Sequence, residues 1–541
     1  MSNKTSVIVF NNIKLPFDAS VKEAFSVALR KLRALGLNSK DAKPYVYKRS
    51  IDARNKKSIQ FVYSIAVRCF AVDLSADKLS NHGAVLLSDP KNVFAIGETS
   101  LSAPPVIVGS GPAGMYAGLI LAEMGYAPII LERGACIKDR IAAVNRFNTT
   151  HVLDKNTNIQ FGAGGAGTFS DGKLITRTND PLSSYVLERL VEFGAQEEIK
   201  YIAKPHVGTD VLARVVDNIL TRIIDLGGSV LYNTTMLDFE SENGCVKSVI
   251  TDKGRLEAGA LILAIGHSAR DTYQTLIKKN ISIECKDFSV GMRIEHLAND
   301  IDKSLYGDFA GHPLLGHAEY NLSHNTKVRG VYTFCMCPGG EVVAATSEEL
   351  GTVVNGMSYS KRDGLNSNCA VVCSVFKNDY GSTPEKAIEF QRSIERRAFE
   401  AAGGDYRAPI ITVGDFLNNE CKAEPTIVTP TYMNGSNVTL ASPNKYLPGF
   451  VAESIKSAIS AFDNKIHGFA CKEAILTGAE TRTSAPIRIL RNNDTKLALG
   501  YTNLYPAGEG AGYAGGITSA AIDGLKCAIA LMSEYKPIIR R

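Results

Sequence analysis

Three glycine-rich segments carry the residue types that could hold a nucleotide. The first reads Val106-Ile-Val-Gly109-Ser-Gly111-Pro112-Ala113-Gly114 and runs into an apolar stretch with Tyr116, Leu119 and Leu121. A further apolar run, Pro128-Ile-Ile-Leu131, ends at Glu132 and Arg133. This is GxGxxG with a strand before it, a helix after it and an acid closing the next strand. Gly109 allows the tight strand-to-helix turn, Gly111 leaves room for a pyrophosphate, and Gly114 lets helix and strand pack closely. The free N–H groups at the helix start, including those at Ala113 and Gly114, then face the phosphates with a favourable dipole, and Pro112 has no N–H to lose there. Glu132 stands 18 residues past Gly114, where a carboxylate can accept from adenosine ribose hydroxyls. GxGxxG alone is weak, and a glycine turn in an unrelated α/β domain is the competing reading. The setting makes dinucleotide binding the stronger one.

The second segment, Leu504-Tyr-Pro-Ala-Gly508-Glu509-Gly510-Ala-Gly512-Tyr-Ala-Gly515-Gly516-Ile517, decides between dinucleotides. FAD needs a second contact near its ribityl chain. Glu509 can accept from a ribityl hydroxyl, and the helix opening at Gly516 and Ile517 would aim its positive end at the flavin pyrimidine. Its bland alternative is a glycine-rich helix cap without a ligand. The third segment, Gly162-Ala-Gly164-Gly165-Ala-Gly167, also satisfies GxGxxG, yet residues 168–181 leave no room for a helix of adequate length. It reads as a glycine loop lying along FAD, with Ser170 and Asp171 near the ring. With no second Rossmann unit, NAD(P)H enters only as a transient electron donor.

Candidate reacting groups are fewer. No Cys-x4-Cys follows the first fingerprint, which disfavours a disulfide-reductase mechanism. Cys335 and Cys337, in Cys-Met-Cys-Pro-Gly-Gly340, are thiol candidates with Cys337 as the catalytic one, although a free Cys is more often a small buried hydrophobe. Gly266 and His267 follow the apolar run 260–265, where the chain is expected to pass the cofactor. His267 could donate a proton and Arg270 could hold an anion; a satisfied loop histidine is the plainer reading. Arg293, Arg482 and Arg488 are candidates for acidic substrate groups. Arg482 is preferred because Thr481-Arg-Thr-Ser484 leads toward the Glu509 loop.

The elements that must position these residues follow from periodicity. Strands are expected at 5–15 and 58–73 around a helix at 19–35, giving a small ferredoxin-like α+β domain over 1–100. Residues 100–105 read as a linker. A helix is expected at 210–226, strands at 229–232, 235–239 and 246–250, and a buried strand at 260–265. Residues 290–480 read as strand and loop with one helix at 383–402, and a last helix at 516–533. The fold class is therefore α/β with α+β parts. A Rossmann-type FAD-binding domain is assembled from 101–290 and 480–541, with a strand-rich cap at 291–479.

These residues resemble the two-dinucleotide-binding-domain flavoproteins. More narrowly, the chain is similar to the family known only as FAD-dependent (or NAD/FAD-utilising) dehydrogenases, whose members carry a small N-terminal α+β domain. Beside the Gly109 and Gly508 motifs, the matching segments are Ser50-Ile-Asp-Ala-Arg54, residues 161–173, Gly266-His-Ser-Ala-Arg270, residues 334–340 and residues 481–488. The resemblance covers nearly the whole chain. It implies FAD and a cap domain, and it implies no substrate.

Composition bounds the rest. A chain of 541 residues that is 45% apolar and 21% charged can build several packed cores. No run reaches the roughly 18 apolar residues of a membrane span, and the start lacks a signal-peptide layout. The 11 Cys follow no zinc or disulfide spacing, so no metal is expected and a reducing cytoplasm is the simplest setting. The Asn-Thr-Thr triplets at Asn148 and Asn233 are then chance matches. Residues 1–60 hold 13 Lys/Arg against four Asp/Glu. Lys48, Arg49, Arg54, Lys56 and Lys57 beside Tyr45, Tyr47 and Phe61 could contact RNA, but charge runs are usually solvated faces and nucleic acid is the lesser expectation. The sequence thus points to an FAD-dependent oxidoreductase acting on a small molecule. An FAD-dependent RNA-modifying enzyme and a non-catalytic FAD-binding protein are the alternatives, and oligomeric state is not legible.

Overall fold

In the first fingerprint the apolar run ends at a glycine turn, and the chain folds there as strand, turn and helix. The computed structural model of the protein describes residues 5–70, 75–87, 94–174, 180–325 and 329–537. The strand is Pro105–Val108, buried throughout, and the helix is Pro112–Glu123. That helix is apolar on all sides, which marks it as enclosed rather than amphipathic. Five strands form one parallel sheet, ordered Leu504–Pro506, Ala260–Leu263, Pro105–Val108, Ile129–Leu131, Ser229–Leu231. Val108 lies opposite both Leu263 and Leu131. The chain therefore leaves three neighbouring strands at one level, at Gly109, Ala264 and Glu132. The helix Thr209–Asp225 buries Leu212, Val215, Val216, Ile219 and Ile223, the stripe its spacing predicts.

A second sheet of seven strands contains most of the expected cap. Its order is Ser323–Asn325, Gly330–Cys337, Asn366–Val375, Phe288–Leu297, Ile475–Glu480, Ala408–Thr412, Val438–Leu440. All neighbours are antiparallel except the last pair. The central strand Phe288–Leu297 is buried at nine of its ten positions, so both faces of the sheet are covered there. The reading of 290–480 with a single helix needs correction. Besides Pro384–Ala401 there are helices at Ala298–Tyr306 and Gly449–Asp463. The latter buries Val451, Ile455, Ala458, Ile459 and Phe462, an i, i+4 pattern legible in the sequence. The helices Ile137–Thr150 and Leu182–Glu192 were likewise not anticipated.

Apart from the later residues of Ala298–Tyr306, these elements belong to one compact unit, Phe94–Ala195, Val207–Ile301 and Glu319–Arg541. The other unit gathers Met1–Val93, Gln196–His206 and Asp302–Ala318. Its strands Thr5–Pro16, Lys43–Asp52, Gln60–Phe70 and Ala84–Leu87 form an antiparallel sheet, with the helices Val21–Ala34 and Ala76–Asn81 in the connections. The order places Lys43–Asp52, Gln60–Phe70, Thr5–Pro16 and Ala84–Leu87 side by side, the split βαβ arrangement of ferredoxin-like sheets. Residues 71–74, at the end of the expected strand 58–73, lie outside the described residues. Two later segments complete this unit. Phe309 meets Phe17 edge-on at 5.2 Å, and the Arg49 N–H donates to Tyr201 O at 2.7 Å. Arg49 also lies over the Phe61 ring, and Arg54 pairs with Asp52. Two basic residues of the proposed RNA patch are thus used within the unit. No helix among the described residues is long and apolar enough to cross a membrane.

Candidate functional site: a nucleotide cradle between two helix starts

The helices Pro112–Glu123 and Ile517–Glu534 pack backbone against backbone. A Cβ on Gly524 would fall 2.0 Å from Ala113 O, and one on Gly508 would fall 2.7 Å from Ala113 Cβ. The first turn of the one therefore packs on the third turn of the other and on the loop before it. Gly111 and Gly516 are the respective N-cap residues, and neither helix has a side-chain cap. Each start leaves N–H donors that an anion or a polar ring edge can accept. Gly167 sits between them. From its position a Cβ would be 3.1 Å from Ile517 Cγ1 and 3.6 Å from Pro112 Cγ. The third glycine segment, with Gly164 and Gly165, therefore runs against the first, and Gly515 opens the last helix beside them through its N–H bond to Ser519 Oγ at 3.3 Å.

Glu132 holds this corner together. It is 4% exposed, and its carboxylate accepts from Ser110 N (3.0 Å), Ser110 Oγ (2.6 Å), Gly134 N (2.9 Å) and Gly162 N (3.0 Å). Four protein donors fill the acceptor sites of a carboxylate. The ribose contact expected of Glu132 would require one of them to leave. Arg133 turns away, pairing with Asp271 at 3.0 Å and lying over the Phe161 ring. Gly109 N donates to Leu131 O at 2.7 Å, which fixes the turn.

A residue that sequence reasoning missed supports the glycine loop from beneath. Arg140, fully buried, donates to the carbonyls of Asn158, Ile159, Ala163 and Gly165 at 2.7–2.9 Å, with a longer bond to Gly162 O. Burial lowers its pKa to about 10, with Glu132 opposing the shift. The signal was present: Arg140, Val144 and Phe147 share one buried helical face. A cation on such a face needs acceptors, and the carbonyls of the loop supply them.

The C-terminal loop is positioned in the same way. Asp523 accepts from Gly508 N at 2.7 Å and from Arg491, which also donates to Pro506 O and lies 3.7 Å over the Tyr513 ring centre. Tyr273 Oη donates to Gly510 O at 2.8 Å and lies 3.3 Å from Gly266 O, so the Gly266 turn passes the Glu509 loop. Glu509 itself is half-buried, and no hydrogen bond from the described residues reaches its carboxylate. Burial raises its pKa to about 7, with Lys286 opposing.

The expected catalytic side chains fare differently. Arg482 is 7% exposed, and Glu395 accepts from its Nε and Nη2 at 3.2 and 3.1 Å. Ser268 and Ser347 take its remaining donor. Arg270 donates twice to the same Glu395 at 2.8 Å, and Thr481 Oγ1 adds a bond of 2.6 Å. Burial alone would raise the Glu395 carboxyl, but Arg270 and Arg482 outweigh it and hold it below the usual carboxylate range. Both guanidiniums are therefore structural ion-pair members, not open anion sites. Arg293 is likewise closed, its partners being Glu480, Asn368 and Asn355. Arg488 reaches Glu284 and Gly512 O. His267 Nδ1 meets Ser268 Oγ at 3.0 Å; burial, then Arg482 and Arg270, drive its pKa down to about 3. Cys337 is fully buried, and Cys335 is the more accessible of the pair. Ser170 bonds back to Gly167 O, and Asp171 is paired with Arg362. Residues 175–179, within the stretch expected to lack a helix, lie outside the described residues.

The family model for the C-terminal domain-like region of FAD-dependent proteins matches residues 287–483. A Clostridium beijerinckii protein (strain ATCC 51743 / NCIMB 8052), named only "Uncharacterized protein", is 42% identical over 98% of this chain and 99% of its own length. The chain belongs to the FAD-dependent protein family. Solved structures similar to this family member are more distant. CtdE in complex with FAD shares 11% identity over 79% of this chain and 84% of that one, with a TM-score of 0.32. Glycine oxidase from Bacillus cereus ATCC 14579 shares 11% over 80% and 98%, with a TM-score of 0.34. Likeness at this level carries no weight for activity.

The cradle suits FAD on grounds of its own. Gly111 adopts φ −65° and ψ 179°, a conformation open to any residue, and a Cβ there would meet nothing nearer than Gly165 Cα at 3.7 Å. The protein itself does not require glycine at that position. A diphosphate at the helix start would.

Proposed function

We propose that this protein is an oxidoreductase that holds FAD with its diphosphate against the start of Pro112–Glu123 and its isoalloxazine toward the start of Ile517–Glu534. The observation that carries the reading is Gly167, packed between Pro112 and Ile517. It brings two uncapped helix starts and a third glycine loop to one place, as a ligand with both a diphosphate and a polar ring needs. FAD, when bound, supplies two-electron transfer through its ring.

The chain's own residues bind and orient. N–H groups of Ala113 and Gly114 face the diphosphate, and Arg140 holds the Gly162–Gly167 loop while placing a buried positive charge beneath it. Glu509 stands free to accept from a ribityl hydroxyl. The N–H groups after Gly516 face the pyrimidine edge, where reduced flavin accumulates negative charge. Residues 101–290 and 480–541 would form the FAD-binding part, with 291–479 as the cap that shields the ring from water.

Anaerobic mixing with NADH, NADPH and a panel of small oxidisable substrates tests the reading. Bleaching of the flavin by one of these at a catalytic rate is expected. Tight FAD that no donor reduces would instead favour a non-catalytic flavin.

A further inference from the structure

We propose that Cys335 and Cys337 are a dithiol–disulfide couple that exchanges two electrons with the bound flavin, Cys335 being the attacking sulfur and Cys337 the resolving one. The proposal rests on the FAD reading above and adds a second redox centre to it.

Backbone geometry brings the two sulfurs together. The strand Gly330–Cys337 pairs with Asn366–Val375 in register as far as Phe334 opposite Ala370, then slips, and pairing resumes only at Cys337 opposite Asn368. Within this bulge Cys335 takes φ +46°, a left-handed conformation rare for a residue with a side chain. Cα atoms two residues apart are separated by at most about 7 Å, and a bulge shortens that span into the range a disulfide bridges. The Cys337 thiol is fully buried and lies against Cys335, with Cys335 O 3.3 Å away; Cys335 is half-buried.

Fixed cations surround the pair. Arg293 Nη1 donates to Cys335 O at 3.0 Å and reaches Cys337 Sγ at 4.0 Å. Glu480 grips the same guanidinium at 2.9 and 2.8 Å and Asn368 at 2.7 Å, so it cannot swing away. Lys173 donates to Met336 O, between the two cysteines. Donation from Cys337, then Arg293 and Lys173, lowers the Cys335 thiol against burial and the nearby Asp171, whereas Cys337 is pushed up. Burial alone drives a thiol the other way, as at Cys369 on the paired strand, pushed up to about 12. The lowered thiol is also the more exposed of the two, which suits it to attack, while its raised partner is fully buried.

Lys173 also supplies the link to the flavin. Its neighbour Leu174 accepts from Thr518 Oγ1 at 2.9 Å, on the first turn of the last helix. Adjacent residues thus reach the two places, the Leu174 carbonyl the first turn of the last helix and the Lys173 side chain the carbonyl between the two cysteines. The step balances without a further reagent. The Cys335 thiolate and Cys337 thiol lose two electrons and one proton as the S–S bond forms, and oxidised FAD takes up both electrons and that proton as FADH⁻. The reverse step opens the disulfide.

The test uses air-oxidised holoprotein titrated anaerobically with dithionite, following flavin absorbance. Cysteines are alkylated under denaturing conditions before and after, and mapped by peptide mass. Uptake of four electrons per FAD is expected, with Cys335 and Cys337 protected before reduction and alkylated after it. Cys335→Ser and Cys337→Ser should each take up two. A full flavin spectrum with two-electron uptake in the wild type, and both cysteines alkylated in air-oxidised protein, would overturn the couple and leave the cofactor reading standing. The wild-type map decides the point even if a variant fails to fold. Protein that binds no FAD would overturn both, and its missing flavin spectrum tells the two failures apart.

Discussion

Gly165 and Gly111 face each other, and only one of them needs to be glycine for the protein to fold. A Cβ on Gly165, which has φ +62°, would come 2.9 Å from Gly111 Cα, whereas one on Gly111 stops 3.7 Å from Gly165 Cα. Gly114 is the opposite extreme, since its Cβ would fall 1.9 Å from Gly109 O. Gly111→Ala should therefore leave the apoprotein's thermal midpoint almost unchanged. Gly114→Ala should destabilise it by about 1–3 kcal/mol or more, because neither backbone can give way. Differential scanning fluorimetry of the two apoproteins checks this, and equal losses would remove the distinction.

Glu509 gives the apoprotein a pH signature. Its folded pKa near 7 lies above the ordinary 4.5, so the folded state holds a proton that the unfolded chain has released. Its contribution is fully present below about pH 4.5 and is lost as pH rises through 7. Glu295, also raised by burial to about 7, acts in the same direction but is common to wild type and variant. Urea midpoints at pH 5 and pH 8 should fall more steeply in the wild type than in Glu509→Gln, by on the order of 1–3 kcal/mol. Parallel pH profiles would show that Glu509 titrates normally.

Glu395 should be the most sensitive position in the ion-pair cluster. Glu395→Ala leaves Arg482 buried without a carboxylate and Arg270 with Glu348 alone, which costs about 3–5 kcal/mol. Because its folded pKa is depressed, the wild-type contribution is present above pH 4.5 and is lost only at a pH well below that. Equilibrium denaturation near neutral pH reads the difference, and a variant as stable as the wild type would contradict the assignment.

Arg140→Met nearly keeps the length of the side chain and removes all the hydrogen bonds that Arg140 gives to carbonyls in 158–165. Faster proteolysis within residues 158–167 is expected, together with at least tenfold weaker FAD binding. Unchanged cleavage and unchanged affinity would show that the loop stands without it.

The strand, turn and helix of the first fingerprint were legible because they are local. A strand, GxGxxG and a helix lie within residues 106–123, and each glycine states a backbone requirement that sequence carries directly. The final helix and the Glu509 loop were legible for the same reason. What the sequence hid were partnerships between distant residues. Arg482 looked available until Glu395, 87 residues away, was seen to hold it. Glu132 looked free to bind ribose, yet Gly162, 30 residues on, occupies one of its lone pairs. That Cys335 is more exposed than Cys337 follows from a bulge, which depends on the register of the facing strand. The helix Gly449–Asp463 was missed although its spacing was plain, because it follows a loop rich in Pro, Asn and Gly.

Equilibrium titration of FAD into the apoprotein, read by quenching of flavin fluorescence, tests the cofactor assignment most directly when wild type and Gly111→Ala are compared. The wild type should saturate at one FAD per chain, and Gly111→Ala, equally folded, should bind at least tenfold more weakly. No saturable binding by the wild type, or equal affinity in the variant, would contradict a diphosphate lying at that helix start.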